Sequence, residues 1–238
     1  MSATGTERRS RAGRRLAIAA VAIATALVIT GVAIALFFNP AWVSFAQARA
    51  NAAAYTGWTA AQVDAVTRDI VIEVWLGPGS FEQEVAGQPV FDERERAHMA
   101  DVRGVVQSFY ALVLAAMAVL LVAGIASRGS RWYRGAVALG AGGLAVGAVA
   151  VGGAFFILFD TAFALFHQLF FAQGSWTFDP ATDRLVQLFP YQFWTETSVA
   201  IAVVGLGLTL AVWAFARPRT PRKPTMSGPA PSAASGAP

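Results

Sequence analysis

The chain has no cysteine, only two histidines, and few charges. Lys, Arg, Asp and Glu together make up 13% of its 238 residues, against about a quarter in a soluble domain. Without cysteine there is no disulfide, no thiolate metal site and no cysteine nucleophile.

What replaces the charge is apolar length. Hydrophobic residues make up 56% of the sequence. Four stretches reach the roughly 20 residues that a bilayer-crossing helix needs. They run from about Leu16 to Phe38, Val105 to Ala126, Ala136 to Phe159 and Thr197 to Phe215. The fold class is therefore an all-α membrane protein with four transmembrane helices. Ala46-Gln47-Ala48 after the first stretch resembles a signal cleavage site. The apolar run before it, however, is longer than the roughly 7–15 residues of a signal h-region, so an uncleaved anchor is expected.

The basic residues fall in three clusters. Arg8, Arg9, Arg11, Arg14 and Arg15 precede span one; Arg128, Arg131 and Arg134 separate spans two and three; Arg217, Arg219, Arg222 and Lys223 follow span four. Twelve of the 18 basic residues thus lie on one side of a four-span topology, with only Glu7 of the 14 acidic residues. The positive-inside rule predicts both termini in the cytoplasm. Residues 1–15 form a basic amino terminus, 16–216 an integral membrane domain, and 217–238 a Pro-, Ser-, Ala- and Gly-rich tail expected to be disordered. Outer loops at about 39–104 and 160–193 then face the extracytoplasmic side, with amphipathic or interfacial helices in them. Both histidines, His98 and His167, fall in these loops.

Within the long loop, Thr59 and Gln62 fit a capping box. Val63, Val66, Ile70 and Val74 follow at helical spacing, and Gly77-Pro78-Gly79 stops the helix. In span three, Gly143 and Gly147 form a small-xxx-small pair expected to face another helix. Asp179-Pro180 predicts a short helix over 180–189, with Asp179 as its cap.

Two outward stretches carry the chemistry. In "FDERERAHMADVRGVV", residues 91–106, an early start of the second long helix puts Arg94 and His98 at i, i+4, and His98 and Asp101 at i, i+3. A carboxylate there orients an imidazole and favours its charged form; a solvated, salt-bridged helix start is the plainer reading. In "FDTAFALFHQLFFAQGSWTFDP", residues 159–180, His167 stands among six phenylalanines and Trp176, one helical face from Asp160. A structural histidine at an aromatic interface is the alternative here. Glu196, just inside span four, is a site candidate as an ionisable group in a membrane helix.

Together, F-x-x-R-E-x-x-H-M-x-D-V at Phe91–Val102, F-H-x-x-F-F at Phe166–Phe171, and the W-x-F and L-x-x-L-F-P-x-x-F-W that follow resemble a family of bacterial four-span membrane proteins. That family includes the lipoprotein intramolecular transacylases. The resemblance implies transfer of an acyl chain from the sn-2 oxygen of a diacylglyceryl-cysteine to the cysteine α-amine of a lipoprotein in the bacterial cell membrane. The partners are then diacylglyceryl-modified lipoprotein amino termini and membrane lipid, and neither cofactor nor metal is implied. The chemistry fits the residues: a histidine serves as base and then acid. His167 is the expected base, with His98, oriented by Asp101, as second catalytic group. Arg94, Glu95, Trp176 and Glu196 are candidates for substrate, oxyanion or phosphate contact. Ser175 is the serine nearest His167 in sequence, without a Gly-x-Ser-x-Gly elbow. Two rival readings stay open. One is a metal-dependent membrane hydrolase built on His98, His167, Asp101 and Glu196. The other is a non-enzymatic scaffold or ligand-binding protein whose polar cluster is structural.

Overall fold

A computed structural model describes residues 3–171 and 174–217. Helix α1 (Ala3–Ala35) leads into three shorter helices, α2 (Pro40–Arg49), α3 (Ala52–Thr56) and α4 (Ala60–Trp75). A two-stranded hairpin follows, β1 (Glu84–Val85) and β2 (Gln88–Pro89). Then come α5 (Glu93–Ser127), α6 (Arg131–Ile157), α7 (Phe159–Phe170), α8 (Arg184–Leu188) and α9 (Tyr191–Ala216). Within α1, α5, α6 and α9 lie four stretches long and apolar enough to cross a membrane. Each contains or closely matches an expected span. Beyond Arg217, the tail expected to be disordered lies outside the described residues.

The four long helices form a bundle in which α1 packs against α5, α6 and α9, and α6 against α9. The close approach differs from the one the sequence suggests. A Cβ at Gly143 or Gly147 would meet nothing within 4 Å, whereas one at Gly140 would lie 2.2 Å from the carbonyl oxygen of Ala22 in α1. Ala136, Ala138 and Ala141 are buried beside it. Crossing helices come close only near the crossing point, and Gly147 lies about 10 Å further along the axis. Small residues at 136–141, not the Gly143–Gly147 pair, therefore set the α1–α6 contact. A second tight point pairs Gly31 with Val113 of α5, and the Tyr110 hydroxyl donates to the Gly31 carbonyl at 3.1 Å.

All the shorter elements connect the same ends of the long helices and form a cap there. Helix α4 begins as expected: the Thr59 side chain accepts from Gln62 N–H and the Gln62 side chain from Thr59 N–H. Its face of Val63, Val66, Ile70 and Val74 is buried with Phe81, Val90, Phe91, Met99, Leu185 and Leu188. The cap therefore carries a compact core of its own. The buried Gln47 of α2 ties it together, donating to the Leu188 carbonyl at 2.9 Å and accepting from the Thr67 hydroxyl at 2.7 Å.

Glu73 organises the connection after α4. Its carboxylate accepts from the N–H groups of Gly79 and Phe81 at 3.1 and 2.9 Å, from the Ser80 hydroxyl, and from the Gln83 amide. Burial alone would raise the Glu73 pKa, but these donors outweigh it and hold the carboxyl below its ordinary value. Phe81, fully buried, adopts φ = 52° here. The following hairpin turns at Ala86-Gly87, both at positive φ, the twist that two-residue hairpins favour.

The helix expected over 180–189 is shorter than the sequence suggests. Regular helix covers only Arg184–Leu188, with Asp183 at its N-cap. Asp179 instead closes a turn: its side chain accepts from Ala181 N–H at 2.9 Å, and its own N–H donates to Asp183 at 2.7 Å. A short Asp side chain competes with the first helical turn in this way.

Candidate active site

The site begins where α5 begins. Asp92 accepts from Glu95 N–H at 2.7 Å, and Glu95 accepts from Asp92 N–H at 2.8 Å, so both ends of a capping box are closed. The helix is 35 residues long, about 52 Å at 1.5 Å per residue. That exceeds the roughly 30 Å of a hydrocarbon core, so the first turns of α5 belong to the cap. Glu95, buried in those turns, also accepts from the Leu185 N–H at 2.7 Å and so pins α8 to α5.

Arg94 fastens the loop that follows α7. Its guanidinium donates to Asp183 at 2.6 Å and to the Thr177 carbonyl at 3.2 Å, and lies 4.9 Å from the centroid of the Phe178 ring. The N–H of Asp179, with Thr182 and Arg94, holds the Asp183 carboxyl below its ordinary value. Arg94 and Glu95, expected among the substrate contacts, are thus both engaged in holding α5, the loop at 174–183 and α8 together. Neither Asp183 nor Phe178 stands out as an anchor in the sequence, because the residues that bind them are about 90 positions away.

One turn beyond Glu95, His98 points into the space this loop encloses. Its ring is 6.0 Å from that of His167, with the planes 19° apart. The pairing of the two histidine motifs expected from the sequence is therefore present in space. Both imidazoles are buried. Phe171 lies 4.8 Å from His98 and 5.3 Å from His167; Phe178 lies 5.4 Å from His98; Phe163 and Trp176 lie 4.1 and 5.0 Å from His167.

Helix α7 sets the orientation of His167. The break at Leu158 ends α6 and restarts the chain as a strongly amphipathic helix whose buried side carries His167. The Nδ1 of His167 lies 2.8 Å from the carbonyl oxygen of Phe163, one turn back. A carbonyl only accepts, so Nδ1 carries the proton and the lone pair of the neutral ring sits on Nε2. Burial in this aromatic cage pushes the His167 pKa down, and the Phe163 carbonyl partly opposes it. The ring is therefore held neutral at pH 7 with Nε2 available as a base.

Two polar atoms in the cage have no partner among the described residues: the Nδ1 of His98 and the Nε1 of Trp176 are buried and make no hydrogen bond. Each such atom costs about 1–3 kcal/mol, a cost a bound ligand removes.

Other expected site residues stand elsewhere. Asp101 is exposed and makes no hydrogen bond to His98 among the described residues, and acts on that ring only through its charge, which opposes the lowering of the His98 pKa by burial. Helical i, i+3 spacing brings two Cβ atoms near each other, but His98 turns inward while Asp101 faces out. Asp160 lies beside the Tyr191 hydroxyl rather than against His167. Glu196 is paired with Arg49 at 2.7 and 3.1 Å and with Gln192 at 2.8 Å. The four residues of the metal-hydrolase reading are thus not assembled, and no group of three or more candidate ligands occurs among the described residues.

Four membrane-length helices, a cap at one end, and two buried imidazoles under it make an integral membrane protein with a candidate site at the edge of the bundle. A family model, described as lipoprotein intramolecular transacylase Lit, matches residues 17–194. The chain belongs to this family, and so to the membrane acyltransferases of lipoprotein maturation. Among solved structures it is similar to the membrane integral lipoprotein intramolecular transacylase Lit from Bacillus cereus, at 19% identity and a TM-score of 0.71, over 85% of this chain and 93% of that one. The same protein carrying a histidine-to-arginine mutation matches at 19% identity and a TM-score of 0.69, over 89% and 95%. A form with histidine replaced by alanine gives 18%, 0.69 and the same coverage. Identities this low establish the shared fold. Among curated proteins no sequence matches significantly.

Proposed function

We propose that the enzyme moves an acyl chain from the sn-2 oxygen of a diacylglyceryl-cysteine to the α-amine of the same cysteine, leaving an N-acylated lyso-form lipoprotein. The observation that carries this reading is the His98–His167 pair in an apolar cage, with the tautomer of His167 set by Phe163. The amine nitrogen attacks the ester carbonyl carbon, and its proton passes to the Nε2 of His167. The tetrahedral oxyanion collapses, the C–O bond breaks, and the glycerol oxygen takes the proton back from the imidazolium. The ring thus ends each cycle neutral. His98 is the second catalytic group and contacts the reacting centre through its unpartnered nitrogen. Donor and acceptor belong to one molecule, so positioning supplies much of the rate.

The position of the pair under the cap supports a site at the depth where lipid esters meet the headgroups, and the charge distribution supports an active face on the extracytoplasmic side of the cell membrane with cytoplasmic termini. Exposed Leu165, Phe166, Leu169 and Phe170 on α7 offer acyl chains an apolar approach to His167.

The test is mass spectrometry of a synthetic diacylglyceryl-cysteinyl peptide after incubation with the purified protein. The expected product has unchanged mass, one acyl group as an amide, and a free glycerol hydroxyl. A deacylated peptide with released fatty acid would show a hydrolase; unchanged substrate would remove the catalytic reading.

A further inference from the structure

We propose that the indole N–H of Trp176 donates the hydrogen bond that holds the ester oxygen as it becomes an oxyanion. This inference rests on the acyl-transfer reading and adds a catalytic residue to it. The Trp176 ring lies 5.0 Å from that of His167, their planes 35° apart. The reacting atom of an acyl transfer sits about 3 Å from both the nucleophile and the oxyanion donors, and an indole in ring contact with the imidazole base lies beside that position. The Nε1 of Trp176 is buried and makes no hydrogen bond among the described residues. Buried donors of this kind are almost always satisfied.

The chemistry of the donor suits the task. An indole nitrogen only donates and does not titrate in the working range. It therefore stabilises negative charge without exchanging protons with the imidazoles beside it. Two other side chains suggested for this role are engaged. Arg94 is bound to Asp183 and Thr177 and lies over Phe178; Glu95 is an acceptor bound to Asp92 and Leu185. These contacts give the indole a fixed seat: Thr177, the next residue, is held by Arg94, and Asp179 N–H by Asp183. A donor fixed before the reaction has no reorganisation to make as charge develops, which is how oxyanion holes work.

The electron count is simple. As the amine nitrogen forms its bond to carbon, the carbonyl π pair moves onto oxygen, where the Trp176 N–H meets it. When the pair returns, the bond to the glycerol oxygen breaks and that oxygen takes the proton from His167.

The test compares the wild-type enzyme with Trp176→Phe and with β-(3-benzothienyl)alanine at position 176, which keeps the bicyclic shape and replaces N–H by sulfur. Turnover of the diacylglyceryl-cysteinyl peptide is followed by mass spectrometry in detergent micelles. Expected is a fall in kcat of roughly 100-fold for both replacements, with KM within about twofold, an unchanged thermal midpoint and an unchanged pH profile. The sulfur analogue decides the case if Trp176→Phe does not fold. Wild-type turnover by the sulfur analogue overturns the proposal while leaving acyl transfer intact. A loss accompanied by a shifted pH profile also overturns it, since that marks a ring that merely packs against His167. No product from the wild type overturns both this proposal and the reading beneath it.

Discussion

His98 and His167, 69 positions apart in the chain, stack with ring centroids 6.0 Å apart and planes inclined by 19°. Neither ring contacts a carboxylate by hydrogen bond among the described residues; aromatic side chains surround both. In such surroundings a second positive charge beside the first is strongly disfavoured. Protonation of the second ring beside a charged first one is therefore opposed.

Asparagine at either position keeps a hydrogen-bonding side chain but cannot shuttle a proton near neutral pH. His167→Asn and His98→Asn are each expected to accumulate as folded membrane protein. Each should convert substrate at least about 100-fold more slowly, the usual scale of general acid–base catalysis. Asp101→Asn should stay within a few-fold of wild type, because Asp101 is exposed and makes no bond to His98. Rates on the diacylglyceryl-cysteinyl peptide check all three, and near-wild-type conversion by His167→Asn would sink the proton-transfer role.

The bundle contact gives a sharper structural prediction. A Cβ at Gly140 would sit 2.2 Å from the Ala22 carbonyl oxygen, and one at Gly143 in open space. Gly140→Ala should therefore lower the thermal midpoint and the folded yield, while Gly143→Ala matches or exceeds wild type through helix propensity. Equal midpoints would show that α1 and α6 separate at no cost.

How much of this was readable beforehand follows from how local each signal is. The spans, the Thr59 cap and the buried face of α4 depend on neighbours a few residues away, and all appear as expected. The two histidine motifs were expected on one and the same side of the bundle, and the structure joins them. What sequence spacing misjudged is direction. Asp101 and His98 are one turn apart but point differently, and Gly143–Gly147 has the right spacing at the wrong point of a helix crossing. The anchors are long-range: Arg94 meets Asp183, and Glu95 meets Leu185, across about 90 residues. No local pattern announces such pairs. The Asp92–Glu95 capping box was present in the sequence, overshadowed by the charges around it.

Glu73 tests the cap. Its folded-state pKa lies below the ordinary value because donors surround the carboxylate. A depressed carboxylate adds stability that is fully present above its unfolded pKa and is lost as pH falls through the folded one. Glu73→Gln should lower stability at pH 7 by about 1.5–3 kcal/mol, the scale of hydrogen bonds to a charged group. It should also flatten the acid side of the stability curve. Thermal midpoints from pH 7 down to about pH 2 read both effects, the second of them below the ordinary carboxyl range; parallel curves for the two proteins would rule out the clamp.

Orientation is open to direct measurement, because the chain has no cysteine of its own. Gln88 lies exposed in the hairpin of the cap, and Arg131 is exposed where α6 starts, at the far end of the bundle. Gln88→Cys should react with a membrane-impermeant thiol reagent in intact spheroplasts, and Arg131→Cys only after lysis. The reverse pattern would place the histidine pair in the cytoplasm.

The pH dependence of the rate distinguishes a buried base from an ordinary histidine. Burial pushes His167 below 6.5, opposed in part by the Phe163 carbonyl. The substrate's α-amine titrates near 7.7–8.0. Reaction needs the neutral amine and the neutral imidazole together. From pH 8 downward the logarithm of kcat/KM should fall with a slope of one, as the amine takes up its proton. It should steepen to two only below pH 6.5, where His167 itself becomes charged. The same shift acts on stability with a definite sign. The unfolded chain binds a proton at this histidine before the folded one does, so folding loses stability as pH drops from 6.5 toward the folded pKa. Phe171→Gln, which brings an amide beside both rings, eases that burial and should move the break in slope upward toward 6.5. In His167→Asn the residual rate should keep a slope of one throughout. A wild-type break at or above 6.5 would mean that the imidazole doing the chemistry is solvated, and that the cage around His167 serves packing alone.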